Sequence, residues 1–153
     1  MIEETLKYAA VLIVLICHKE IDEPIDCIIY LITIALGFAT LENILFIWHP
    51  LQAGELMGTI LTGKFRFLGA TLLHILASGT IGVFLALAFY KSVMVKLLFG
   101  LLGLFIAIVL HTLFNLLIID ADNSIVLTAF LLVWIGAIML FLTLELIKLK
   151  QKK

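Results

Sequence analysis

The chain has 153 residues, 64% of them hydrophobic and 14% charged, with a formal net charge of −1. Too few polar residues remain to cover a soluble domain of this length, so the bilayer is the solvent for most of its surface. The balanced charge argues against a nucleic-acid partner, and the long, non-alternating apolar runs exclude the short strands of a membrane β-barrel.

The expected fold is all-α: a polytopic bundle of about five transmembrane helices forming one domain over residues 1–153. A first, short span covers Glu3 to Cys17 and opens on acids and Lys7. No cleavable leader is expected, because Met1-Ile2-Glu3-Glu4 is acidic where a secretory n-region is basic. A polar turn from His18 to Pro24 follows, in which Asp22 or Glu23 can cap the second helix and Pro24 fits its first turn. That helix is predicted to end near Trp48, at His49-Pro50.

Residues 51–63 carry Gly54, Gly58 and Gly63 and one charge, Glu55. The stretch is too short to span, so an interfacial or re-entrant segment is expected, and from His49 to Gly63 it is placed to act as a lid or substrate entrance. Further helices are predicted over Phe65 to Tyr90, Val95 to Ile119 and Ser124 to Leu149, the last two separated by the turn at Asp120 to Ser124. Small residues four apart (Ala35/Ala39, Ser78/Gly82, Gly103/Ala107) allow close helix approach. Cys17 and Cys27 flank one loop, match no metal-ligand spacing, and read as buried, inert thiols.

Five spans leave Lys7, Lys64 and Arg66 on one side. Lys19, Lys91, Lys96, Lys148, Lys150, Lys152 and Lys153 lie on the other, which places the C-terminal tail in the cytoplasm.

Five polar residues interrupt these apolar helices: Glu42, Asn43, His74, His111 and Asn115. A charge inside a span costs roughly 2.5–3.5 kcal/mol on insertion scales unless something compensates, so such residues point to function. Counted along the helices, Glu42 lies about 9 Å, His74 about 14 Å, His111 roughly 12 Å and Asn115 roughly 6 Å from the outer end. With Glu3 and Glu4 at the outer end of the first span, all fall in the outer half of the membrane. That convergence predicts one hydrated site.

Each residue also has a structural role available to it. Glu3 and Glu4 suit a helix N-terminus, Lys7 suits an interface or pairing with Glu3, and Asn43 and Asn115 suit interhelical hydrogen bonds. Candidate chemistries are narrowed by what the chain lacks. It has no His-Glu-x-x-His and no pair of intramembrane aspartates. Ser78 with His74 one turn away is a weak nucleophile pair without evident oxyanion donors. A carboxylate-and-histidine set remains.

At these residues the chain resembles the PrsW family of intramembrane proteases. Glu3-Glu4-Thr5-Leu6-Lys7 resembles that family's EExxK motif, and Asp22-Glu23-Pro24-Ile25-Asp26 the polar turn before its next helix. Gly37 to Asn43 is similar to the GFAxxEN block, within which Phe38 and Glu42 form FxxxE. His74 stands where a third motif supplies a histidine, and His111 to Asn115 matches HxxxN. The family is related to the CAAX prenyl endopeptidases and the bacterial immunity-type membrane proteases.

The resemblance implies a multi-pass endopeptidase acting on a transmembrane or juxtamembrane protein, in characterised relatives a membrane-bound anti-sigma factor. It implies Glu3 and Glu4 as the source of the water-activating base, with Glu42 and His74 orienting or sharing the proton. His111 and Asn115 would stabilise the oxyanion, with Lys7, Phe38 and Asn43 in support. It favours a metal-free glutamate mechanism, although His74, His111 and Glu4 also suit zinc with an open fourth position. Two other classes fit the same residues: a non-catalytic membrane scaffold, and a small proton or cation pathway.

Overall fold

A computed structural model describes residues 2–17, 21–118 and 123–151 of the chain. Among the described residues every regular element is helical: α1 (Ile2–Cys17), α2 (Pro24–Gln52), α3 (Leu56–Phe65), α4 (Thr71–Leu87), α5 (Val93–Ile118) and α6 (Asn123–Gln151). A π-helical segment, Arg66–Ala70, joins α3 to α4. Four stretches are long and apolar enough to cross a membrane: Pro24–Gln52, Leu56–Leu87, Val93–Ile118 and Ile125–Leu149. The protein is an all-α, polytopic integral membrane bundle. At 16 residues α1 is shorter than a full span of about 20. It enters the bundle with Glu4, Lys7, Tyr8 and Val11 buried on one face, spaced as a helical stripe.

The start of α2 follows the sequence. Pro24 occupies the first turn, where its missing N–H costs nothing. The Asp26 carboxylate accepts hydrogen bonds from the backbone N–H groups of Glu23 (2.9 Å) and Asp22 (3.2 Å). The end of α2 differs from expectation: His49-Pro50 does not stop the helix, which runs to Gln52 with Pro50 inside its last turn. There the proline deletes only one ladder donor. The stop is Gly54, whose φ of +74° suits a residue without Cβ. Gly54 N–H donates to Leu51 O and Glu55 N–H to Pro50 O, which satisfies the last carbonyls in a Schellman arrangement.

Residues 51–63 are consequently not a re-entrant loop or a lid. After the Gly54 turn, α3 begins at Leu56 and continues through the π segment into α4 as one 32-residue rod. Gly58 and Gly63 look like breakers, yet glycine is tolerated inside membrane helices. The apolar run extends to Leu87 rather than closing at Gly63. Smaller shifts occur at the end of α4, three residues before Tyr90, and at the start of α5, two before Val95. The turn at Asp120 to Asp122 and the residues His18, Lys19, Glu20, Lys152 and Lys153 lie outside the described residues, as do the side chains of Cys17 and Lys150. Cys27 is a buried free thiol.

Helix α4 is the hub, packed on α2, α5 and α6. Small residues set the spacing, as their pattern predicts. A Cβ at Gly82 would lie 2.6 Å from the Ile28 Cα, and one at Gly103 would lie 3.0 Å from the Ile81 Cα. Ala35, Ala39 and Ala107 are fully buried alongside. Large apolar side chains such as Phe105, Leu116, Leu131 and Phe141 are exposed outward, where lipid is their partner.

Candidate active site

Four helices and the π segment bring polar side chains to one place inside the bundle. Helix α1 supplies Glu3, Glu4 and Lys7; α2 supplies Glu42 and Asn43; Arg66 comes from the π segment. Helix α4 adds His74 and Ser78, one turn apart, and α5 adds His111 and Asn115. The His74 and His111 rings meet edge to face with centroids 5.1 Å apart. Sequence counting places His74 about 14 Å from the start of its helix, but the rod begins at Leu56, so His74 is about 27 Å along it. The two imidazoles meet all the same.

Each imidazole turns one nitrogen to a carboxylate. His74 Nε2 lies 2.7 Å from Glu42 Oε2, and His111 Nδ1 lies 2.8 Å from Glu4 Oε1. An ionised carboxylate only accepts, so these nitrogens carry the protons, and in the neutral tautomer the opposite ones hold lone pairs. Those opposite nitrogens, His74 Nδ1 and His111 Nε2, face Glu3 Oε2 at 4.0 and 3.8 Å. Glu3 Oε2 is buried and has no hydrogen-bond partner among the described residues, although the Glu3 side chain as a whole is 42% exposed.

Glu4 is held very differently. It is fully buried; its Oε1 accepts from Lys7 Nζ at 2.6 Å as well as from His111, and its Oε2 accepts from the Ser78 hydroxyl at 3.3 Å. Both oxygens are occupied, and Ser78, which sequence raises as a weak nucleophile, serves as a ligand to Glu4. Lys7 is neither an interface residue nor a partner for Glu3. Its buried ammonium donates to Glu4 and to His74 Nδ1 (2.6 Å), and lies 5.7 Å from the centre of the Phe38 ring.

Arg66 is the participant that sequence reasoning missed. Its Nη2 is 3.1 Å from Glu42 Oε1, its Nε donates to Asn43 Oδ1 at 3.0 Å, and its guanidinium covers the Phe46 ring at 3.7 Å. Asn43 also donates to the Thr71 hydroxyl at 3.0 Å, the interhelical role expected of it. An apparent flank position after Lys64 hid Arg66; its place in the π segment, a feature often found at functional sites, is the structural sign.

Beside this cluster lies a cavity of about 360 Å³. Glu42, Arg66, His74, His111 and Asn115 line it together with apolar residues that include Phe114 and Phe130. Asn115 is exposed within it, four residues from His111 on the same helix face. Glu3, Glu4, His74 and His111 each offer a ligand atom within 4.8 Å of the others, a grouping able to hold a metal ion.

An all-α bundle with a buried carboxylate–histidine cluster beside a cavity defines an integral membrane protein with one polar site inside the bundle. The comparison with known families agrees. Residues 1–144 match the PrsW family, described as intramembrane metalloproteases, and the chain belongs to that family. It is 47% identical over 47 residues to Protease PrsW of Geobacillus kaustophilus, a match covering 31% of this chain and 21% of that protein. It is 38% identical over 81 residues to Protease PrsW of Bacillus subtilis, covering 43% of this chain and 37% of that protein. The matched stretches thus span well under half of these relatives. No solved structure is significantly similar.

Proposed function

We propose that the protein is an intramembrane endopeptidase that hydrolyses a peptide bond of a transmembrane or juxtamembrane protein, an anti-sigma-factor-type regulator being one such substrate class. One observation carries the reading: Glu3 Oε2, buried and unpartnered, faces the lone-pair nitrogens of both imidazoles. A reactant held beside Glu3 Oε2 meets a base and the open nitrogen of His111 at once, next to a cavity able to hold the peptide, while His74 Nδ1 already accepts from Lys7. Of the two leading acids, Glu3 is the one with an oxygen free to take a proton; Glu4 is fixed as an acceptor behind His111.

The same atoms suit a divalent cation, and on this point the geometry moves the balance from the metal-free mechanism. Metal-binding histidines usually donate their remote N–H to a carboxylate, which is the arrangement of His74 with Glu42 and of His111 with Glu4. The ligand trio becomes Glu3, His74 and His111, with Glu4 moved from ligand to support. Zinc bound there would polarise the scissile carbonyl and acidify a water. Around it, the chain's own residues do the positioning: Glu42 and Glu4 fix the ring orientations, and Arg66 holds Glu42. Asn115, at the cavity wall, supplies a donor for the developing oxyanion. His111 is less suited to that task, because its proton is committed to Glu4.

A second reading keeps the metal-free glutamate mechanism, and Lys7 is its support. The ammonium sits 2.6 Å from His74 Nδ1, where a cation would otherwise compete for the lone pair. We place the site in the outer half of a cell membrane with the C-terminal tail in the cytoplasm. Of the three basic residues expected on the opposing side, Lys7 and Arg66 are engaged in the cluster, which leaves Lys64.

The test is cleavage of a reconstituted single-pass protein. Activity lost in Glu3→Gln and in His111→Ala is expected; cleavage undiminished in both variants rejects the site. Zinc found by elemental analysis, with activity removed by chelation and restored by zinc, is expected under the metal reading. Full activity in a protein free of metal selects the second.

A further inference from the structure

The cavity has two chemically distinct linings. Its polar residues contact one another: Arg66 pairs with Glu42, Glu42 with His74, and His74 stacks on His111. Its aromatic residues do the same, with Phe130 6.4 Å from Phe65 and 6.2 Å from Phe114 between ring centroids. Leu73, Ala70, Ile118 and Val126 complete that apolar side.

Phe130 is held in place from behind. Its ring lies against Gly69, where an added Cβ would overlap it, so the π segment supplies a seat that only glycine leaves open. Phe65 and Phe130 also form one wall of a second, wholly apolar groove with Leu68, Leu127, Leu131 and Trp134. The two rings therefore stand between the polar cluster and a surface suited to lipid.

We propose that the apolar side of the cavity is a side-chain subsite that receives a large apolar residue of the substrate adjacent to the bond cut, with Ala70, Val126 and Phe130 setting its size. This rests on the endopeptidase reading. At about 360 Å³ the cavity is near the small end of ligand sites, which run from about 300 Å³, and suits one large side chain with its backbone. A lysine entering the apolar side meets no carboxylate in that wall, which is built from Phe65, Leu73, Phe114 and Phe130. Alanine leaves the space between Leu73, Phe114 and Phe130 unfilled. A leucine or phenylalanine fills it and brings the adjoining carbonyl toward Asn115 and the imidazoles.

The experiment uses the full chain in proteoliposomes with a single-pass substrate varied to Ala, Leu, Phe or Lys beside a cut mapped by mass spectrometry. Wild-type kcat/KM is expected to favour Leu and Phe over Ala and Lys by about tenfold or more, the range one or two methylene groups give in an apolar pocket. Ala70→Phe, from the π segment, and Val126→Phe, from α6, each fill the space. Both should shift the preference toward Ala. Two variants on different elements keep the test independent of either one folding poorly.

Equal wild-type rates on Ala, Leu and Phe substrates overturn the subsite while leaving the endopeptidase intact. So do filling variants that slow every substrate by the same factor. Failure of wild-type protein to cut any member overturns the endopeptidase reading, and the subsite with it.

Discussion

Glu42 Oε2 and His74 Nε2 lie 2.7 Å apart, and that contact decides which nitrogen His74 presents to the centre of the bundle. With the proton of Nε2 given to a carboxylate, Nδ1 must face inward as a lone pair. Removing the carboxylate frees the ring to change tautomer and to rotate. Glu42→Ala is therefore expected to lower zinc affinity or kcat/KM by about 10–100-fold, the usual effect of deleting a carboxylate behind a histidine ligand. Glu42→Gln, which keeps an acceptor oxygen, should lie between the two. Competition with a fluorescent chelator and substrate kinetics measure both. A Glu42→Ala protein indistinguishable from wild type would remove the orienting role.

Lys7 and Glu4 are both fully buried and form an ion pair at 2.6 Å. Such a pair is strongly felt when only one partner is lost, because the other charge stays behind without solvent. Lys7→Met is expected to cost about 3–5 kcal/mol of stability, with Lys7→Met/Glu4→Gln recovering part of it. Denaturation of the four proteins in mixed micelles gives the double-mutant cycle. Additive losses, with no coupling between the two positions, would contradict the pairing.

Gly82 and Gly37 make a matched pair of tests for helix packing. A methyl at Gly82 meets the Ile28 Cα at 2.6 Å, main chain that cannot step aside, whereas a methyl at Gly37 meets nothing within 4 Å. Gly82→Ala should destabilise the α2–α4 contact by about 1–3 kcal/mol through overpacking. Gly37→Ala should be neutral or slightly stabilising, since alanine is the better helix former. Equal melting temperatures for the two variants would show that α2 and α4 do not approach at Gly82.

Much of this was legible in the chain itself. A glutamate and two histidines inside apolar runs are costly enough to mark a site, and the spacing of His111 and Asn115 put them on one helix face. The small-residue pairs foretold the close crossings at Gly82 and Gly103. Three things were not legible, each for a physical reason. Lys7 reads as a flank because a lysine near a span end normally snorkels; only the acceptors on Glu4 and His74 make its burial tolerable. Pro50 reads as a stop because proline usually is one, but in a last turn its missing donor matters little and Gly54 takes over. Arg66 looks like an interfacial charge because residues 51–63 look like a loop, and only the continuous rod from Leu56 brings it alongside Glu42.

Arg66 is also where side-chain shape can be separated from charge. Its guanidinium faces Glu42 Oε1 at 3.1 Å, donates from Nε to Asn43 Oδ1 at 3.0 Å, and lies over the Phe46 ring at 3.7 Å. Lysine carries the same charge but is a point donor without a planar face, so it cannot reproduce all three contacts. Losing one charge-assisted hydrogen bond is worth roughly 1.5–3 kcal/mol, or about tenfold to a hundredfold in kcat/KM if it acts on the reacting geometry. Arg66→Lys is therefore expected to fall close to Arg66→Ala, well below wild type. The loss should appear chiefly in kcat, because Arg66 acts through Glu42 and His74 on the reacting centre. Substrate kinetics on the three proteins, matched for melting temperature, make the comparison. Near-wild-type turnover in Arg66→Lys would mean that positive charge alone suffices, and that neither the Phe46 stack nor the fork to Glu42 and Asn43 contributes.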